Sequence, residues 1–164
     1  MLHDVSAYTT TFFDFYGRED DFPPVNLTGP VDSQQALVQD SMVAGLQQNP
    51  GMGFYELSRF IPYVQMHEFE ALLFSDPARF ASGIGCPKLE QGFNKIRCQF
   101  ETPEHINNGQ QTSPSKRILE LMPEYQKTVF GPLAVLEIGL ATIRKNCPLF
   151  DRWLSDLELL SSTH

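Results

Sequence analysis

The chain is poor in cysteine. It has three, Cys86, Cys98 and Cys147. An odd number without a CxxC pair excludes a disulfide framework and a zinc ribbon. The reading left is free thiols, buried or half-buried, in a reducing cytoplasm. Positive charge is also scarce: 12 Lys and Arg stand against 20 Asp and Glu, for a formal net charge of −8. A dedicated nucleic-acid binder carries a basic patch, so the balance argues against that class. It leaves open an acidic site that meets nucleic acid through a metal. No run approaches the roughly 18 apolar residues of a membrane span. Met1–Val5 lacks the basic stretch and apolar run of a signal peptide. A cytoplasmic protein without membrane contact is expected. No internal repeat is visible. Aromatic residues, by contrast, reach 12% and apolar residues 41%, too rich for disorder. A length of 164 residues is one domain's worth, with enough chain to bury a core.

Tyr8–Tyr16 is dominated by β-branched and aromatic residues, and Gly17 ends it, so it reads as a strand. Residues 18–32 hold the acidic run Glu19-Asp20-Asp21 and read as a surface loop. Ser33 is placed to cap a helix over 34–48, with Leu37, Val43, Ala44 and Leu46 as its apolar side and Asn49-Pro50-Gly51 as its stop. Phe60–Val64 is a second strand. Pro62 lacks an N–H and confines it to an edge or to partial pairing. His67–Phe74 is helix-like, and Asp76-Pro77 restarts a short helix ended by Gly83-Ile84-Gly85. Further helices are expected over 87–99, from Ser113-Pro114 to Pro123, from Gly131-Pro132 to about Lys145, and from Pro148 onward. Residues 101–113 read as a polar loop centred on Asn107-Asn108-Gly109. In the last helix Phe150, Trp153, Leu154 and Leu157 form an i, i+3, i+4, i+7 stripe suited to core packing.

The stretch between the two strands is too long for a hairpin and contains a helix. It fits a βαβ crossover, which makes the strands parallel. Ligands of open α/β sheets sit outside the C-terminal strand ends. Asp14 falls at the end of the first strand; His67, Glu68 and Glu70 follow the second. On a helix, His67 and Glu70 share a face. Glu70 lies next to the apolar side, where a bare carboxylate is costly unless a bound cation or a basic partner offsets it. Carboxylate oxygens arriving from two strand ends suit Mg²⁺. Each residue has an ordinary alternative: Asp14 as a turn cap at Gly17, Glu68 as a solvated first-turn acid, His67 as a hydrogen-bonded core or cap residue. Ser113-Pro114-Ser115-Lys116-Arg117 puts two cations at a helix N-terminus, against the macrodipole. Ser115, Lys116 and Arg117 are therefore candidates for a phosphate clamp; a pair of surface charges is the plain alternative.

Phe12-Phe13-Asp14-Phe15-Tyr16-Gly17 and the run Phe60–Pro77, with His67-Glu68-Phe69-Glu70 at its centre, resemble a bacterial family of uncharacterised Toprim-like proteins. Glu101–Asn107, Ser113–Arg117, Gly131-Pro132-Leu133 and Cys147–Leu154 continue the resemblance in order, so it runs from Tyr8 to the C-terminus. The family includes the effector subunit of a PARIS-type anti-phage system whose partner is an ATPase. The resemblance implies a Toprim-like α/β fold: a small, mostly parallel sheet flanked by helices, with a helical C-terminal half. It fits one domain over 1–164, with a partial α/β core in 1–75 and a helical portion in 76–164.

By resemblance, the activity is metal-dependent phosphodiester cleavage with Mg²⁺ or Mn²⁺. Asp14 matches the acidic strand-end position, Glu68 and Glu70 the His-Glu-Phe-Glu motif, and Lys116 and Arg117 the Ser-Lys-Arg motif. Asp14, Glu68 and Glu70 would hold metal. Glu70, Lys116 and His67 would act in catalysis, with Ser115, Lys116 and Arg117 on the phosphate. The implied partner is an SMC- or ABC-type ATPase, and the implied substrate a nucleic acid. Family members begin further upstream, with a strand and a Glu that have no counterpart here. An N-terminally shortened, catalytically weak chain is expected on that ground. The rival expectations are a non-catalytic module that docks on the ATPase and a small-molecule phosphate binder.

Overall fold

The structure is a computed structural model and describes residues 7–15, 27–107 and 112–161. Tyr16, Gly17, the acidic run Glu19–Asp21 and Asn108-Gly109 lie outside the described residues. Two chain segments run side by side and parallel, as the crossover length requires. β1 (Thr9–Thr10) pairs with β3 (Phe60–Ile61), and β2 (Phe13–Asp14) with β4 (Val64–Gln65). The expected single sheet is thus two short parallel pairs with a break between them. The break falls at Pro62, whose missing N–H interrupts the ladder. There the Thr11 hydroxyl takes over, accepting from the Tyr63 N–H and bonding the Tyr63 carbonyl, both at 3.0 Å.

Side chains alternate across this ribbon with period two. Phe13, Phe15, Phe60, Val64 and Met66 point to one face. There they meet Val38 and Met42 of α1 (Val31–Gln47). Gln35 and Gln39 of the same helix donate to the carbonyls of Val64 and Pro62 at 2.8 and 3.0 Å. Phe12 and Tyr63 point to the other face and stack with Phe150 and Trp153 of α8 (Pro148–Ser161). The expected α1 differs in two respects. It begins at Val31 after Pro30, so Ser33 is an exposed residue inside the helix rather than its cap. Its buried side is Gln35, Val38 and Met42; Leu37 is exposed. The ribbon's free carbonyls select the glutamines, and polar residues turn inward to satisfy them.

Beyond α2 (Phe54–Leu57) and the ribbon, the chain is helical: α3 (Pro77–Gly83), α4 (Glu90–Arg97), α5 (Pro114–Leu121), α6 (Lys127–Ile138), α7 (Leu140–Asn146) and α8. The starts at Pro77, Pro114 and Pro148 fall where proline at the first helical position puts them. The helix expected from Gly131 to Lys145 is instead two. α6 starts at Lys127 and carries Pro132 inside it, and Gly139, at φ +79°, ends it before α7. The larger core joins the ribbon to the helices, with Tyr63, Leu72, Phe74, Phe80, Phe93 and Ile118 all fully buried. Cys147 is buried against the Ser75 hydroxyl at 3.2 Å, Cys86 is half-buried and Cys98 exposed, so the expected burial of the thiols fails at Cys98. Among the described residues no helix is long and apolar enough to cross a membrane.

Candidate functional site

The expected helix over His67–Phe74 is a 3₁₀ helix, Phe69–Ser75, and His67 and Glu68 lie outside it. His67 sits at φ +71°, a left-handed conformation uncommon outside glycine. It turns the chain sharply at the end of β4. His67 and Glu70 therefore do not share a helical face. Asp76, held extended before Pro77, closes the segment at its other end. Between these stops, Glu70 to Ser75 are all buried. A segment covered on all sides has no solvent face to favour α-helical spacing, and 3₁₀ runs of this length are uncommon.

This turn gathers the three expected acids. The Asp14 carboxylate, at the end of β2, accepts the Phe69 N–H at 2.8 Å, between the two glutamates in sequence. Glu70 is 2% exposed, and its Oε2 receives the Lys127 Nζ at 3.1 Å. Glu68 lies 3.9 Å from the same Nζ. Its two oxygens also accept the Ser115 N–H at 2.7 Å and the Ser115 hydroxyl at 2.9 Å. The anion at the start of α5 in this structure is Glu68 itself, held by Ser115. Arg117 makes its contacts with Thr112 and Phe100. Its Nε donates to the Thr112 carbonyl at 2.8 Å, and its guanidinium lies over the Phe100 ring. Lys116 is half-buried in the first turn of α5. Among the described residues, no three His, Cys, Asp or Glu side chains form a set that holds a metal ion by themselves.

A family model for a domain of unknown function, DUF4276, matches residues 2–158. The chain belongs to this family. Searches of characterised proteins and of solved structures found no match.

In this DUF4276 chain the electrostatics follow the burial. The Asp14 carboxyl is pushed up to about 6, chiefly by desolvation and further by the charges of Glu70 and Glu68; the Phe69 N–H and Lys127 pull the other way. His67 is pushed down to about 4 by desolvation and by His105, so its ring is neutral at neutral pH. Its Nδ1 lies 3.0 Å from the Asn107 amide nitrogen.

Three residues of this neighbourhood escape a reading of the sequence. Lys127 is the basic partner that a buried Glu70 demands, yet it lies 57 positions away. Nothing local to it gives the pairing away. The Tyr125 hydroxyl is buried with no hydrogen-bond partner among the described residues. Burial chiefly, and then the charges of Glu70 and Glu68, hold its proton on. Glu104, in the stretch expected to be polar loop, is 1% exposed. It accepts the N–H groups of Leu149 and Phe150 at the start of α8. A shallow groove of about 480 Å³ between α1, β3 and α8 contains none of the clustered acids.

Proposed function

We propose that this protein is a metal-dependent phosphodiesterase acting on nucleic acid, Toprim-like in its parallel core, and that it works with an SMC- or ABC-type ATPase in phage defence. One observation carries the chemistry: Glu70 and Glu68 share a single cation, the Lys127 ammonium, beside the Asp14 carboxylate at the C-terminal end of a parallel ribbon. Mg²⁺ is commonly held by one or two carboxylates, with waters and substrate phosphate completing its shell, so this pair suffices where a three-acid cage is lacking. A bound Mg²⁺ or Mn²⁺ supplies charge neutralisation and an acidified water. Glu70 and Glu68 would hold it. Asp14, titrating near neutrality, is suited to receive a proton. Lys127 and Lys116 would offset charge on the phosphate. The defence role and the ATPase rest on the sequence resemblance alone.

The test is a panel of labelled DNA and RNA incubated with Mg²⁺ or Mn²⁺. Cleavage that Glu70→Gln abolishes, with an unchanged circular dichroism spectrum, is the expected result. Cleavage that survives both Glu70→Gln and Asp14→Asn places the chemistry elsewhere. A second reading, a docking module without chemistry, has its own observation: Val129, Leu133, Leu136 and Leu140 are exposed along α6 and the start of α7. Metal binding without any cleavage, joined to complex formation with the ATPase that Leu136→Glu disrupts, favours that reading.

A further inference from the structure

We propose that Lys127 is a displaceable counter-ion: a divalent metal enters the acidic cluster by exchange with its ammonium, and the freed ammonium then serves as a ligand for a phosphate oxygen. The inference rests on the reading of this cluster as a metal site and concerns how that site is closed and opened.

The members of the cluster differ in freedom. The Glu70 and Glu68 side chains are 2% and 13% exposed, and the Lys127 side chain 51%. Glu68 is fixed further by its two bonds to Ser115, and Asp14 by the Phe69 N–H. The acids are the rigid frame, and the ammonium is the movable part. Lys127 is also the first residue of α6, so its side chain swings outward without disturbing a helix interior. One ammonium lies against two carboxylates, and Asp14 also feels its charge. A divalent ion offsets more of that charge and prefers fixed oxygen ligands.

The Tyr125 hydroxyl is a second, separate sign of a ligand. It is buried and unpartnered among the described residues; burial, and after it the charges of Glu70 and Glu68, hold its proton on. A buried hydroxyl without a partner is costly. The hydroxyl packs beside Gly131 of α6 and Phe69, the residue between Glu68 and Glu70: a Cβ at Gly131 would touch the Tyr125 oxygen at 3.8 Å and the Phe69 ring at 3.6 Å, both ordinary contacts. A water on a bound metal, or a phosphate oxygen, gives this hydroxyl the acceptor it lacks. The result is ordered binding. While Lys127 is paired to Glu70, the site offers an incoming anion net negative charge. Once metal takes the carboxylates, the same ammonium is free to hold phosphate.

The experiment uses Mn²⁺ alone, then Mn²⁺ with inorganic phosphate, on the full chain and on Lys127→Met and Lys127→Gln. Calorimetry should show Mn²⁺ binding at least about tenfold tighter in both variants, since no ammonium has to be displaced. Acylation of Lys127 in the unaltered chain, followed by mass spectrometry, should speed up when Mn²⁺ is added. Phosphate should bind the unaltered chain only with Mn²⁺ present, and should bind neither variant. Equal Mn²⁺ affinity in all three proteins, or an acylation rate indifferent to Mn²⁺, overturns the exchange and leaves the metal site standing. Absence of Mn²⁺ binding to all three folded proteins removes the metal site and the exchange together. If the variants fail to fold, acylation of the unaltered chain with and without Mn²⁺ decides.

Discussion

Glu104 shows how one buried carboxyl sets a pH dependence. It caps α8 from a distant loop, taking two backbone N–H groups that a helix start leaves unsatisfied. Desolvation pushes its carboxyl up from 4.5 to about 7; the two N–H bonds and Arg152 pull it down. The folded chain thus keeps a proton there that the unfolded chain has already released. Stability contributed at this position is greatest at low pH and falls as pH rises from about 4.5 to 7. Asp14 has the same sign, between 3.8 and about 6. His67 has the opposite sign: its folded value of about 4 lies below the ordinary 6.5, so it costs stability as pH falls through that range. A comparison isolates Glu104. Glu104→Gln keeps an acceptor and removes the charge. Its melting temperature relative to the unaltered chain should rise steadily from pH 4.5 to 7.5 and be at least equal at pH 7.5. A difference that does not change with pH would show that Glu104 stays ionised throughout. None of this was visible in the sequence, because Glu104 sits among polar residues and its partners lie 45 and 46 positions away. Asp14, Glu68 and Glu70 were visible because strand ends converge whatever the packing. Lys127 was not, because an ion pair across the fold leaves no local pattern.

At the scale of elements, the same division holds. Strand direction and the proline-led helix starts followed from chain length and φ restriction, which are local properties. The 3₁₀ form of Phe69–Ser75, the buried glutamine of α1 and the early start of α6 depend on neighbours, and the sequence pattern missed each. α3 and α6 pack backbone against backbone. A Cβ on Gly83 would lie 2.9 Å from the Glu137 Cβ, 3.0 Å from the Leu133 carbonyl and 3.1 Å from the Ala134 Cα. Two of those atoms are backbone and cannot rotate away. Gly83 is the last residue of α3, where alanine would otherwise gain at most the about 0.5–1 kcal/mol of a helix interior. The clash outweighs that gain, because overpacking a tight contact costs about 1–3 kcal/mol. Gly83→Ala should therefore destabilise the protein in chemical denaturation. A stabilised Gly83→Ala would mean that α3 and α6 separate more easily than their spacing indicates. The separation matters for the site, since α6 carries Lys127 and the 3₁₀ helix that holds Glu70 precedes α3.

At the scale of the molecule, the candidate site is anchored unevenly. Glu70 sits in the buried 3₁₀ helix, whereas Asp14 ends a strand two residues long, and an isolated pair of such strands is marginal at best in water. The ribbon is held by what covers its faces. α1 covers one. On the other, Trp153 of α8 stacks on Tyr63 at 4.7 Å, lies 5.4 Å from the Phe12 ring and donates its indole N–H to the Thr10 hydroxyl at 2.8 Å. Through Trp153 the last helix steadies the first strand, and Asp14 lies four residues beyond Thr10. Removing a large buried aromatic costs about 3–5 kcal/mol, and Trp153, only half-buried, belongs at the low end. The loss should be uneven. Phe74, Phe80 and Phe93 pack on one another, with Phe80 and Phe93 stacked at 4.2 Å, while Trp153 joins the same core on its Tyr63 and Phe150 side. In Trp153→Ala, hydrogen exchange should accelerate at Thr10–Asp14 and Ile61–Gln65 well before it does in α3 and α4. Exchange that accelerates equally in both regions would show that ribbon and helices open as one unit and that Asp14 is held as firmly as Glu70. The uneven outcome makes Asp14 the first acid to leave the cluster when the molecule loosens, while Glu70, Glu68 and Lys127 stay in place on the helical side.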